Sequence, residues 1–130
     1  MRRIDQGMAA AAARVVPAEV KPELRTRYRQ LRAMLHTAGL AATYAFIASK
    51  ASQAEDDQLG QAYRDVAAAI RDRLAGQGFV SADTTGHRDV LAALGALGPA
   101  DYTRASADVA AFVGWLSRLG DALCEEGGSA

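Results

Sequence analysis

The sequence predicts an all-α protein, a compact single-domain bundle of about six helices. Half of its 130 residues are hydrophobic but only 6% are aromatic, so Ala and Leu supply most of the apolar surface, as in closely packed helices. Segments in which Val, Ile or Thr alternate with polar residues are absent, which argues against strands. We therefore expect residues 1–126 to form one helical domain and residues 127–130 to be a disordered tail.

Apolar residues recur at helical spacing through the first half of the chain. The pattern predicts helices over residues 1–16, 22–38 and 40–52. Pro17 and Pro22 bracket the first break, because proline ends one helix and fits the first turn of another. Gly39 lies between the second and third helices, and we expect it to take a left-handed conformation there. The third helix is apolar or small on nearly every side, so we expect its neighbours to enclose it as the central helix.

Three more helices are predicted in the second half of the chain. They cover residues 57–75, 89–97 and 101–125, the last with Asp101 as its N-cap. The intervening loop, residues 76–88, should bury Phe79 and Val80 and leave His87 in solvent. The last helix has the most regular apolar spacing, alternately four and three residues, through Ala105, Val109, Phe112, Leu116, Leu119 and Leu123.

Composition also bears on the compartment and on possible partners. The single cysteine, Cys124, excludes an intramolecular disulfide and suits a reducing cytosol. No apolar stretch is long enough to cross a bilayer, and the N-terminus lacks a secretory signal, so we expect a cytoplasmic protein with no membrane contact.

The net charge is zero, but residues 1–38 carry eight basic and three acidic residues, +5, and the remainder carries −5. This asymmetry permits a local basic face or attraction between copies.

No set of residues has the spacing of a catalytic, cofactor or metal site. The glycines near residues 76 and 95 lack the strand and the lysine of a phosphate-binding loop. Two histidines and one cysteine cannot form a spaced zinc site. The acidic run at residues 55–57 lacks the glycine and the closing glutamate of a calcium loop, so it is better explained as an acidic helix start. We therefore expect no cofactor, no metal and no enzymatic activity.

Basic side chains are the remaining candidates for a binding function. Arg25, Arg29 and Arg32 form a stripe along the second predicted helix, and His36 continues it. Lys50 is the only charged residue of the third helix. Arg104 and Arg118 lie on the last helix. An ordinary role is open for each of them: a solvated helix face, an interaction with a helix dipole, or a surface ion pair with Asp101, Asp108 or Asp121.

Two segments together resemble one protein family. In TAGLAATYAFIASK, residues 37–50, a Gly-Leu turn precedes an apolar helix that ends in Ser-Lys. In DYTRASADVAAFVGWLSRLGDAL, residues 101–123, a tyrosine precedes a long apolar helix with Trp-Leu-x-Arg. In this order, and in a chain of this length, they resemble the small subunit of type III-B CRISPR RNA-guided effector (Cmr) complexes.

The resemblance implies an all-helical subunit without activity of its own, stacked in several copies as a minor filament beside the filament of backbone subunits. The guide RNA–target RNA duplex would run between the two filaments, and catalysis would belong to the backbone and large subunits. It implies that Lys50 and Arg118 contact RNA and that Trp115 is a core or copy-to-copy contact. To these we add Arg25, Arg29, Arg32 and Arg104 as candidate RNA contacts.

Two other function classes are open at this point. A helix-turn-helix DNA-binding protein would have Gly39 in its turn, but the following helix offers Ala, Tyr, Phe and Ile where side chains that read bases are needed. A helical adaptor that binds only protein would need none of the basic residues for its function.

Overall fold

The computed structural model describes residues 2–53 and 57–124, and of residues 2–5 it describes only the backbone. Its helices are α1 (Arg2–Val15), α2 (Pro22–Ala38), α3 (Leu40–Gln53), α4 (Gln58–Gly76), α5 (His87–Ala96) and α6 (Pro99–Leu123). They confirm the predicted all-α bundle. Within the described ranges the β structure is limited to one isolated parallel bridge between Val20 and Cys124. The predicted tail and the acidic residues Glu55 and Asp56 lie outside the described residues.

Helix α6 is central to the bundle and contacts α1, α2, α3 and α4. The predicted apolar stripe is buried: Val109, Phe112 and Leu116 are all 0% exposed. The helix begins at Pro99, with Gly98 as its N-cap, so the prediction that Asp101 is the N-cap was wrong. Pro99 lets the helix begin two residues earlier than predicted, because the fixed φ of proline suits the first helical position and its missing N–H is not needed there.

The turn between α2 and α3 depends on Gly39. Its φ of 96° is positive as predicted, but its ψ of 172° lies outside the left-handed helical region, and α3 begins at the next residue. Gly39 offers no side chain to cap α3. Instead, the backbone N–H of Ala41 donates to the hydroxyl oxygen of Tyr102 on α6, at 2.9 Å. Tyr102 therefore satisfies a free N–H of the first turn of α3 and links that turn to α6.

Helix α3 is not enclosed on all sides, which corrects the prediction from its lack of charge. It buries Leu40, Thr43, Tyr44, Ile47 and Ala48, and it contacts α2, α4, α5 and α6. Its other face, with Ala42, Ala45 and Ser49, is exposed. These side chains are so small that burying them would gain little free energy, so an uncharged face does not require a covering neighbour.

Helices α2 and α6 approach closely where the ring of Tyr28 lies against Gly120. A Cβ at Gly120 would be 2.8 Å from Cδ2 of that ring, so a larger residue there would force the helices apart. Tyr28 is 1% exposed, and burial, followed by the charge of Asp65, raises the pKa of its hydroxyl. This contact allows α2 and α6 to pack closely together.

The segment between α4 and α5 packs against the rest of the protein near both of its ends. Phe79 and Val80 are buried, as predicted. His87 is not a solvated loop residue: it is half-buried, it begins α5, and its Nδ1 lies 2.7 Å from the hydroxyl of Tyr44. A tyrosine hydroxyl is protonated at neutral pH, and burial raises the pKa of Tyr44 further, so the hydroxyl donates when Nδ1 of His87 carries no proton. Among the described residues, no helix combines the length and apolarity that a membrane span requires.

Candidate nucleic-acid interface

An open groove of about 920 Å³ lies between the outward faces of α2 and α6, and we call it the α2–α6 groove. The side chains that line it from α2 include the basic residues Arg29, Arg32 and His36. Alanines of both helices form much of its wall, together with Ser106, Ser117 and Asp121 of α6. The groove therefore combines small side chains, which leave room for a partner, with a concentration of basic groups on one side.

Within this groove, Arg29 forms an ion pair with Asp121. Its Nε and Nη2 both donate to Oδ1 of Asp121, at 3.0 and 2.7 Å. Both side chains are about half-exposed, so the pair contributes little to stability. Its consequence for binding is larger, because the carboxylate of Asp121 compensates the charge that Arg29 would otherwise offer to a phosphate.

Arg32 lines the α2–α6 groove, and Arg118 directly follows Ser117, another residue of its lining. The Nε of Arg32 lies 4.0 Å from the position that a Cβ at Gly114 would occupy, so Arg32 extends across α6 where that helix has no side chain. Arg118 follows Gly114 by four residues and therefore lies one turn further along the same face. Both arginines are exposed, and neither has an ion-pair partner among the residues that the structure describes.

Lys50 lies in the last turn of α3, where a positive charge is favoured by the helix dipole. Its Nζ is 5.6 Å from the centre of the Phe46 ring, and that ring meets Tyr63 of α4 edge to face at 6.2 Å. Lys50 is exposed and, like Arg32, has no carboxylate partner in the described ranges. No described contact joins it to the α2–α6 groove, so it forms a separate basic position.

The last two predicted residues are constrained in other ways. Nη2 of Arg104 lies 3.2 Å from Oδ1 of Asp101, so its charge is compensated by the acid three residues earlier on α6. Arg25 is half-buried, and its Nε is buried without a hydrogen-bond partner among the described residues. The structure thus divides the predicted set: Arg32, Lys50 and Arg118 are exposed and uncompensated, and Arg25, Arg29 and Arg104 are not.

The most buried of the described ion pairs was not found from the sequence. Arg73 of α4 donates to both carboxylate oxygens of Asp108 on α6, at 2.9 and 2.8 Å, and Gln77 donates to Oδ1 at 2.8 Å. The side chains of the pair are 18% and 12% exposed. The guanidinium also lies 5.3 Å from the centre of the Phe112 ring. Because this cluster is largely buried between two helices, its role is to join them rather than to bind a partner.

The model of one protein family, described as CRISPR-associated protein (Cas_Cmr5), matches residues 4–123. The chain belongs to this family. The match includes both segments on which the resemblance was based, and it confirms the similarity to the small subunit of type III-B (Cmr) complexes. Membership of the Cas_Cmr5 family indicates a protein of a Cmr complex that associates with other subunits. No curated protein and no solved structure matches the chain significantly.

Proposed function

We propose that this Cas_Cmr5 protein is a non-catalytic small subunit of a type III-B CRISPR effector ribonucleoprotein in the cytoplasm. It stacks in several copies as a minor filament, and it supports the guide RNA–target RNA duplex through contacts to the RNA backbone. Its partners are the backbone subunit, the large subunit, further copies of itself, and both RNA strands. The family match over residues 4–123 is the observation that carries this proposal.

The exposed, uncompensated cations support the RNA contact. A subunit that holds an RNA whose sequence is read by base pairing needs contacts to phosphates and sugars rather than to base edges. Arg32, Lys50 and Arg118 can supply such contacts without first breaking an ion pair. Arg25, Arg29 and Arg104 stay predictions, and for Arg29 and Arg104 an RNA phosphate must compete with an aspartate.

Assembly into copies suits a subunit in which three of the predicted RNA-contacting cations are exposed and uncompensated. Each subunit offers only a small number of phosphate contacts, but copies that bind one strand side by side add their contributions at high effective concentration. The charge of +5 on residues 1–38 and −5 on the remainder favours attraction between basic and acidic surfaces of neighbouring copies.

The two alternatives lead to different expectations. A helix-turn-helix protein would insert α3 in a DNA groove, but the exposed face of α3 presents Ala42, Ala45 and Ser49, which can read few base edges. A protein-binding adaptor is the stronger alternative, because the family match is compatible with a subunit that contacts only protein. The adaptor alternative predicts that replacing Arg32, Lys50 and Arg118 leaves RNA binding unchanged.

Neutralising Arg32, Lys50 and Arg118, the predicted cations that are exposed and uncompensated, should weaken binding of target RNA by the reconstituted complex. We expect the triple variant Arg32→Gln, Lys50→Gln, Arg118→Gln to lower the affinity about 10-fold or more, because each lost phosphate contact removes counterion release. The slope of log Kobs against log salt concentration should fall by about 2–3 for each copy that contacts the strand. Filter binding or fluorescence anisotropy over a series of salt concentrations measures both quantities.

A control for the loss of positive charge removes one arginine outside the proposed interface. Arg88 is exposed on α5 and lies outside the proposed interface, so Arg88→Gln should change neither the affinity nor the slope. Circular dichroism and incorporation of the variants into the complex verify that the subunits fold. If the triple variant folds, assembles and binds RNA like the parent at matched salt, the adaptor interpretation replaces the proposed RNA contact.

A further inference from the structure

Cations lie over aromatic rings at four places in the described part of the chain. At two of them the cation also pairs with a carboxylate, which gives the contact a sufficient structural explanation: Arg73 pairs with Asp108, and Arg104 with Asp101. At the other two, the cation is Lys50 or Arg118, and neither has an anionic partner among the described residues. Both lie in the segments resembling the Cmr small subunit, which also contain the paired Arg104.

The two uncompensated pairs share one geometry. Lys50 Nζ lies 5.6 Å from the centre of the Phe46 ring, and Arg118 Cζ lies 5.6 Å from the centre of the Trp115 ring. In both, the ring belongs to the same helix, four or three residues before the cation. Helical side chains lean toward the N-terminus, so a long cationic side chain passes over the ring at that spacing. Both distances are within the range of a cation–π interaction.

The rings are themselves held in place. Phe46 meets Tyr63 edge to face and is packed against the core cluster, and Trp115 is half-buried against the same cluster. A fixed ring under a flexible cation restricts the rotamers of that cation before any partner binds. Because free Lys and Arg side chains lose much rotamer entropy when they bind, such restriction favours binding in the restricted conformation.

We propose that Phe46 and Trp115 are positioning residues, which hold Lys50 and Arg118 in the conformations in which they contact RNA phosphates. This inference rests on the proposed RNA-binding function and deepens it. It gives Trp115 a role beyond the core or copy-to-copy contact that the sequence resemblance implies. It also explains why Lys50 and Arg118 each follow an aromatic residue of their own helix by about one turn.

A double-mutant cycle on the reconstituted complex tests this role. Trp115→Leu keeps an apolar side chain but removes the ring, and we expect it to lower the affinity for target RNA about 2- to 5-fold, the range of an exposed cation–π pair. Combined with Arg118→Gln, it should lower the affinity no further than Arg118→Gln alone. Trp115→Phe, which restores an aromatic face, should recover most of the loss. The same cycle with Phe46→Leu and Lys50→Gln should give the same pattern.

A second measurement does not involve RNA. In the free subunit, the δ-methylene protons of Arg118 should show a ring-current shift by NMR that Trp115→Leu abolishes and Trp115→Phe retains. Additive effects in both cycles, or an Arg118 without a ring-current shift, would overturn the positioning role and leave the RNA-binding function intact. If Lys50→Gln and Arg118→Gln both bind RNA like the parent, the positioning role fails. If the triple variant that adds Arg32→Gln also binds like the parent, the RNA-binding function fails as well.

Discussion

Replacing Asp108 with alanine should lower the free energy of unfolding by about 3 kcal/mol or more, because it leaves the guanidinium of Arg73 without its carboxylate between α4 and α6. The two side chains are only 12% and 18% exposed, so water cannot fully replace the lost partner. The change also removes the acceptor for Gln77. Urea denaturation followed by circular dichroism measures the loss.

Asp101 provides the matched control, because it is an aspartate of the same helix in an exposed pair with Arg104. Asp101→Ala should cost less than about 1 kcal/mol, since exposed ion pairs contribute little. Adding Arg73→Met to Asp108→Ala should recover part of the lost stability, because the uncompensated charge is then also removed. Equal losses for Asp108→Ala and Asp101→Ala would show that the Arg73–Asp108 pair does not stabilise the fold.

Replacing Phe112 with alanine should cost about 3–5 kcal/mol, the usual range for a fully buried aromatic residue. Phe112 is 0% exposed at the centre of α6, and its ring also supports the guanidinium of Arg73. The substitution therefore leaves a cavity in the main core and weakens the neighbouring ion pair. Thermal and urea unfolding curves of the free subunit measure the change.

Phe112→Leu serves as the control, because it retains most of the apolar volume and should cost much less than Phe112→Ala. The effects of Phe112→Ala and Asp108→Ala should not add, since both act on Arg73. A melting curve for Phe112→Ala that coincides with that of the parent would contradict the position of the core on this face of α6.

The fold could be predicted where one local signal was sufficient. The apolar residues of α6 recur at alternate intervals of four and three over many turns, and this pattern leaves one face to bury. Gly39 marked the boundary between α2 and α3 because its conformation is unfavourable for other residues. Predictions were wrong where tertiary contacts decide: His87 lies at the start of α5 with its ring against Tyr44, and no local pattern reveals that contact.

The candidate site was predicted only in part, for the same reason. The two family-like segments identify Lys50 and Arg118, but they do not show which basic residues form ion pairs with a carboxylate. Arg29 and Asp121 are 92 residues apart, and Arg73 and Asp108 are 35 residues apart. Such pairs depend on how the helices pack, so the structure was required to separate the exposed, uncompensated cations from the other predicted residues.

Purification of the tagged chain from its native host, followed by mass spectrometry and RNA sequencing, tests the proposed function most directly. We predict recovery of a multi-subunit CRISPR ribonucleoprotein that contains the backbone and large subunits, more than one copy of the chain, and guide RNA. Recovery of the chain alone, or with unrelated proteins and no RNA, would contradict the proposal that it is the small subunit of an RNA-guided effector complex.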